Sequence, residues 1–574
     1  GGVAVFPWLG SRREAAQCAQ AAQVAAVLQG PELLGAVERK LAAELGAAEP
    51  GPVRELRASV GGFVSRWAAV RASACFGATP QARATEAARV ACLGRKLDQV
   101  TALLTLLKDT SRPIAGSAVK ALGGVSSLED CTLDAAALPA VEAPVDPALT
   151  RALDALTATF ELGDYAEAQR LGHALEPLAR AQPSKRFLAE SLVPIARSRN
   201  AMGDNEAARA LMFEAFEVSE ADGLKANAAL ALLYVGAITG LDLHRPEEGL
   251  ALIRVTEVNA RRDRLGEELS ARLAEIRGRV LGGAGRFEEG AAALTDALAR
   301  YRALPTAPAF ALAKTMSELA SAQHEAGRRA ASLELFSESI ARLTELGGSR
   351  HPQVAVAQTN QANVLASLGR DREALESYQK ALTTQRERLG DKACNTLDTR
   401  ASLSLVQARL VDPVAALQEA RDAVAAEENA QCPSAYFESA LWHLAEVARL
   451  AGQSDLSAAT AQRLLERITA DPSLGAFEFD PELQLARVES ARGHHTEALR
   501  LAARQCEATA AHVPRGHPAR IECELARVRL RTAASDPSLA TDPLLDALAG
   551  DDRELCPEDV ALRASLRTAR QKTP

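Results

Sequence analysis

The sequence predicts an all-α fold, an alpha-alpha superhelix of helical hairpins behind a smaller helical domain, and three observations predict it. The first is composition. Of 574 residues, 47% are hydrophobic and 24% charged, yet only 4% are aromatic. Alanine, leucine, arginine and glutamate dominate and β-branched residues are sparse, which favours helices packed pairwise through small side chains over sheets. The second is apolar spacing at the helical period, with no stretch of strict alternation. The third is an internal repeat: a turn residue, usually glycine, followed five positions later by a small residue. It starts at Gly163, Gly203, His244, Gly285, Gly327, Gly369, Val411, Gly452 and Gly493, with successive starts 40 to 42 residues apart.

Taken in chain order, residues 1–10 open with GGVAVFPW, followed by Arg12 and Arg13. This reads either as the end of a membrane helix or as a buried N-terminal segment. Eight residues cannot span a bilayer, and no other apolar stretch approaches the roughly 20 residues a span requires. Apolar positions at helical spacing predict helices over roughly 13–46, 52–76, 81–109 and 112–123, a linker or capping domain covering 11–145. Its end is marked by Pro139, Pro144 and Pro147, where a helix cannot comfortably continue. The repeats fill 146–550. A helix from Pro557 to Lys572, within 551–574, closes the stack, because hairpins that bury their apolar faces only on one another need polar-faced end units.

Inside each repeat, the turn needs a permissive backbone, and the second helix enters so close to the first that only a small side chain fits. The small position five residues after the turn is Ala168, Ala208, Gly249, Gly290, Ser332, Ala374, Ala416, Ser457 and Ala498. Seven residues before the turn, eight of nine copies carry a second small residue: Ala196, Ala237, Gly278, Ala320, Ala362, Ser404, Ala445 and Ala486. Twelve residues after it, the middle copies carry Ala215, Thr256, Ala297, Ser339, Ala381 and Ala423, where the second helix meets the next repeat.

A period near 41 also suits HEAT or armadillo arrays. The turn glycine, the small residue five on, an aromatic such as Tyr378 or Phe336 four further, and Ala381 three after that resemble the tetratricopeptide repeat instead. The segment HPQVAVAQTNQANVLASLGRDREALESYQKALTTQRERLGD, about 351–392, resembles the longer-helix variety found in kinesin light chains. His351-Pro352 starts its first helix and His517-Pro518 repeats the device. Ala393-Cys394 stands where that variety usually has His-Pro, so the match there is degenerate.

Chemistry leaves little trace. The sequence holds no phosphate-binding P-loop, HExxH or GxSxG motif, and no protein-kinase set, so no catalytic residue, metal site or cofactor is assigned. Gly282, Gly283 and Gly285 fall in a repeat turn, and His494 and His495 read as solvated turn residues. Net charge is -8, with arginines spread along the helices, which disfavours nucleic acid as a partner. Nine cysteines without a CxxC pair leave free thiols or inter-helix disulfides, and compartment decides between them. Cys506, His512, His517 and Cys523 form a nominal metal set, but His517 belongs to a helix start. Cys506 and Cys523 sit symmetrically about the loop near Pro514 and Arg515, level on adjacent antiparallel helices, where a disulfide fits.

Residues 11 to about 131 resemble the linker that follows the membrane helix in bacterial serine/threonine protein kinases with tetratricopeptide tails. The features carrying this are Cys18, the helix with Trp67 and RASAC ending at Cys75, RVACLGRKLDQVTALLTLL with Cys92, and Cys131 before the Pro-rich joint. The resemblance implies an upstream kinase domain, a single membrane helix and repeats on the extracytoplasmic side. Four cysteines in such a domain suit two disulfides, with three pairings open. The leading expectation is therefore a scaffold or sensor tail of a membrane-bound kinase that binds a protein or peptide; the alternative is a free-standing, cytoplasmic adaptor. In tetratricopeptide stacks the first helices line the binding groove, which nominates Arg272, Arg279, Lys314, Asn360 and Asn363, and a mildly basic groove selects acidic or carboxylate-bearing segments.

Overall fold

In a computed structural model, the structure describes residues 25–46, 50–73, 80–111, 114, 117–132, 145–304, 308–430, 432, 434–470, 479–513, 517–534 and 552–571. Every regular element among them is helical. Among the described residues, a 3-10 turn (Val27–Gln29) and five α-helices precede the repeats: α1 (Leu34–Leu45), α2 (Gly51–Ser73), α3 (Pro80–Asp109), α4 (Ala118–Val125) and the short α5 (Glu129–Thr132). The expected first helix over 13–46 is broken. Gly30 is extended at φ -69°, ψ 160°, and Pro31 lacks an N–H, so the continuous helix starts at Leu34. The expected helix over 112–123 starts at Ala118. Gly1–Trp8, Cys18 and Cys75 lie outside the described residues.

Nine antiparallel hairpins follow. They are α6 (Pro147–Glu161) with α7 (Tyr165–Arg180), α8 (Lys185–Ala201) with α9 (Asn205–Ala221), and α10 (Lys225–Ala237) with α11 (Pro246–Arg262). Next come α12 (Glu267–Gly283) with α13 (Phe287–Ala303), α14 (Ala309–Glu325) with α15 (Arg329–Gly347), and α16 (Pro352–Ser367) with α17 (Asp371–Arg388). Last are α18 (Cys394–Leu410) with α19 (Pro413–Ala430), α20 (Ser434–Leu450) with α21 (Ser454–Ala470), and α22 (Pro481–Ala491) with α23 (His495–His512). Helices α24 (Pro518–Ala533) and α25 (Pro557–Gln571) end the chain. The chain divides into two compact units, Gly1–Thr315 with Arg342–His351, and Met316–Ala341 with Pro352–Pro574.

The turn chemistry is as the repeat predicts. All seven turn glycines have positive φ, from 69° to 86°, and His244 adopts 53°. Val411 does without a left-handed residue: its φ is -123°, the Asp412 carboxylate accepts from the Val414 and Ala415 N–H groups, and Pro413 opens α19. The small positions are buried notches. A Cβ on Gly249 would lie 2.7 Å from the Gly236 carbonyl oxygen and from Gly240 Cα, and one on Gly278 would lie 2.6 Å from Leu294 Cγ. Gly240 belongs to a π turn, Ile238–Asp242, that ends the first helix of this hairpin. Ser332 fills its notch and donates to the Ala320 carbonyl at 2.7 Å. Tyr378, Phe336 and Ala381, which carry the tetratricopeptide resemblance, are all at least 98% buried.

In unit 1 the N-terminal helices pack on the first hairpins. Ala88 of α3 joins the cluster of Leu233, Ile253 and Val280, and the Trp67 indole N–H donates to the Leu93 carbonyl at 2.8 Å, tying α2 to α3. In unit 2 the C-terminal elements return to the fifth hairpin. Arg329 at the start of α15 reaches Glu522 of α24 at 2.6 Å and the Glu554 carbonyl at 2.7 Å, and the Ala330 N–H donates to the Glu554 carboxylate. His517 donates from Nε2 to the Glu325 carbonyl at 2.8 Å. Helix α25 then seats Val560, Leu562 and Leu566 on Ile521, Leu525 and Leu555.

Three disulfides are present among the described residues: Cys92–Cys131, Cys394–Cys432 and Cys506–Cys523. The last is the expected bridge between adjacent helices, and it takes both sulfurs out of the nominal metal set. His517 caps α24, its Nδ1 accepting from the Ala519 N–H, and exposed His512 lies against the Ala508 carbonyl. Cys394–Cys432 had no sequence signal beyond the departure from His-Pro at Ala393-Cys394. Cys556 is a thiol pushed up to about 11, chiefly by burial.

Candidate functional site

In unit 1, the first helices of four successive hairpins, α6, α8, α10 and α12, stand side by side, because the small-residue notches commit their other faces to the second helices. Helices α3 and α4 with the segment after α4 cover them. Between lies a cavity of about 310 Å³, walled among others by Cys92 and Arg95 of α3, Ser127 after α4, Leu153 of α6, Val193 of α8 and Leu230 of α10. Ser127 links cover to floor by donating to Glu268 of α12.

Six cations and two carboxylates line this cavity: Arg95, Lys96, Arg186, Arg197, Lys225 and Arg272 against Glu190 and Glu268. Further acids behind the wall pair with several of the cations. Arg95 lies 2.6 Å from Asp154, without hydrogen-bond alignment, and burial pushes the Asp154 carboxyl above its usual range even though Arg95 opposes this. Arg186 holds Glu190 at 2.7 Å, and Lys225 holds Glu220 at 2.9 Å. Arg197 donates to Glu161 at 2.8 Å with its guanidinium 4.3 Å over the Phe160 ring and 5.5 Å from that of Tyr234. Arg272 meets Glu268 at 3.6 Å. Asn227 of α10 donates to the Ala189 carbonyl and to Ser219.

Of the five groove residues nominated from sequence, Arg272 lines the cavity. Lys314 pairs within the fold: its ammonium holds Glu275 at 2.9 Å, and the Tyr301 hydroxyl donates to the same carboxylate. Burial works to raise the Glu275 carboxyl, but Lys314, Tyr301 and Arg279 together hold it below the usual range. Arg279 is exposed and adds its field to Glu275 and Asp242. In unit 2, Asn360 reaches Ser321 at 3.5 Å and Asn363 accepts from the Tyr378 hydroxyl at 2.5 Å. Lys314 and Asn363 are thus each bonded within the repeat stack, to Glu275 and to Tyr378. Arg95, Lys96, Arg186, Arg197 and Lys225 were not nominated. Arg197 was within reach of the same rule, since it stands six residues before Gly203 as Asn363 stands before Gly369.

Unit 2 holds a different polar group. Asp398 of α18 and Glu438 of α20 add their charges to the burial that raises the Glu427 carboxyl of α19, and both carboxylate oxygens of Glu427 are buried without a hydrogen-bond partner. Burial pushes Asp398 up to about 6, opposed by a hydrogen bond from Ser439.

Residues 311–387 match the family model of the tetratricopeptide repeat. Among curated proteins none matches the sequence. Solved structures of similar helical arrangement include a Rap protein complexed with Competence and Sporulation Factor, at 13% identity over 64% of this chain and 99% of that one, TM-score 0.47. The apo quorum sensor NprR from B. thuringiensis is similar at 16% identity over 63% and 99%, TM-score 0.46. BtubC from P. vanneervenii is similar at 20% identity over 38% and 87%, TM-score 0.32. At these values no residue role passes from those proteins to this chain.

Proposed function

We propose that the chain is a protein-interaction module that binds a peptide or protein segment along the first helices of its hairpins. The observation that carries this is the cavity walled by α6, α8, α10 and α12: the notches bury the remaining helix faces, which leaves the first-helix face to present polar and charged side chains next to apolar ones. The tetratricopeptide match over 311–387 supports the same use. Cations outnumber acids on the cavity wall, which favours an acidic segment through field complementarity.

The test is selection of random displayed peptides on the full chain, followed by affinity measurement with the peptides recovered. Arg279→Glu on the first-helix face is expected to weaken binding several-fold while helical content persists. Val255→Lys, a half-exposed second-helix position on α11, is expected to leave it unchanged. Equal affinity for both variants and the parent overturns the reading.

The finer reading is that this module is the extracytoplasmic tail of a membrane-anchored serine/threonine kinase. It is supported by the order of Cys18, Cys75, Cys92 and Cys131 around Trp67 and by three disulfides, which persist in oxidising compartments. Translating the genomic frame upstream of Gly1 decides it: a span of about 20 apolar residues preceded by kinase motifs upholds it, and a start codon just before Gly1 removes it in favour of the free-standing adaptor.

A further inference from the structure

Arg197 and Arg272 face the same cavity, and each has donors to spare. A guanidinium carries five N–H groups. Arg197 spends one on Glu161 and lies on Phe160. Arg272 meets Glu268 at 3.6 Å, beyond hydrogen-bond distance, and keeps 36% of its side chain exposed. Both neighbour Tyr234, and the charge of Arg272 acts against that of Arg197. Two arginines that repel one another across a concave site form a ready fork for one anion, because an anion between them satisfies both donor sets and removes the repulsion. The wall also carries apolar side chains, among them Leu153, Val193, Pro194, Leu230 and Leu269. A volume of about 310 Å³ is at the lower end of the range small-molecule sites occupy, about 300–1,000 Å³, and such sites combine an apolar lining with a few placed polar groups.

We propose that this cavity binds a small anionic amphiphile, its carboxylate or phosphate head between Arg197 and Arg272 and its apolar tail against Val193, Leu230 and Leu269. The site goes beyond the peptide groove: it needs no chain running along the hairpins, and its covering helices α3 and α4 are not part of the repeats. Its ligand also lies beside Ser127 and Cys92, so occupancy stabilises the cover against the first-helix face.

The experiment titrates the full, oxidised chain with octanoate, octyl phosphate, octylamine and octanol by calorimetry. Saturable binding of one octanoate or octyl phosphate per chain is expected, with octanol and octylamine weaker by about tenfold or more; whichever anion binds tighter identifies the head group. Arg272→Gln is expected to weaken the anion by about tenfold with helical content and melting temperature retained. Leu230→Trp, which fills the cavity without removing a charged residue, is expected to abolish binding. Octanol or octylamine binding as tightly as the anions overturns the proposal. So does the absence of saturable anion binding in the millimolar range, or undiminished binding in both Arg272→Gln and Leu230→Trp. This reading rests on the same cavity as the peptide proposal, but the displayed-peptide selection is scored on Arg279→Glu and the titration on Arg272→Gln and Leu230→Trp, so failure of one is distinguishable from failure of the other.

Discussion

The two units solve the same packing problem with different residues, and each places a different kind of charge in its interior. Unit 1 makes its tightest helix crossings with glycine, at Gly236, Gly240 and Gly249 and again at Gly278 and Gly290, where an added Cβ would strike backbone or a branched aliphatic side chain. Unit 2 makes the corresponding crossings with alanine and serine, as at Ala362 with Ala374 and Ala320 with Ser332. Unit 1 gathers arginines and lysines around its cavity, and Arg95, Arg186, Arg197, Lys225 and Arg272 each lie near an acid or an aromatic ring. Unit 2 buries Glu427 between Asp398 and Glu438, with neither oxygen bonded. The repeat constrains only the notch and turn positions, so the remaining first-helix positions are open to opposite electrostatic uses.

The largest expected effect breaks this contrast at the crossings. Gly249→Leu drives a side chain into the Gly236 and Gly240 backbone, which cannot yield, and is expected to cost about 3 kcal/mol or more; Ala374→Leu enlarges a buried crossing that already accommodates a Cβ and costs about 1–3 kcal/mol. Denaturant melts of both variants check the order, and a smaller loss for Gly249→Leu removes the distinction between the units.

Next in size is the buried acid of unit 2. Burial first, then the charges of Asp398 and Glu438, push the Glu427 carboxyl from 4.5 up to about 9. A group with a raised folded pKa holds a proton in the fold that it has lost in the unfolded chain between those two values. Its contribution to stability is thus complete below about pH 4.5 and is lost as pH rises through about 9. Glu427→Gln removes this slope and is expected to gain about 1–3 kcal/mol at pH 8. Melting temperature measured across that window for parent and variant decides the matter, and parallel curves sink it.

The smallest effect concerns the exposed pairs at the starts of the second helices, which occur in both units: Arg286–Glu289 in unit 1 and Arg370–Glu373 in unit 2. Their side chains are about half exposed, so Glu373→Ala is expected to change stability by less than about 0.5 kcal/mol. A larger loss, read by the same melts, places a surface ion pair among the determinants of the stack.

Much of this fold is legible in the sequence because the notch and the turn are local demands. A glycine at positive φ and an alanine at a crossing appear at constant spacing, and all nine hairpins fall where that spacing puts them. Gly30-Pro31 shows the limit in the N-terminal domain, where no repeat exists to check a helix against its copies. The cavity was less legible. Its wall is drawn from Cys92 to Arg272, and which N-terminal helix covers which hairpin is decided by tertiary packing that no periodicity records. The pairing of Cys394 with Cys432 was hidden for a similar reason: it joins the start of one hairpin to the linker after it, a relation outside the turn-centred register.

The tie from Arg329 to Glu522 and Glu554 also bears on how the chain is made. A stack in which each hairpin touches only its neighbours has low contact order, so it can consolidate from the N-terminus as it leaves the ribosome. Here the fifth hairpin must wait for partners 193 and 225 residues downstream. Until then, the buried guanidinium of Arg329 lacks its acids and the turn at Gly327 lacks the Pro518 ring that covers it. Unit 2 therefore completes late in synthesis, and a truncated product ending before α24 exposes a half-finished seam at its fifth hairpin, the kind of surface that quality-control proteases and chaperones engage.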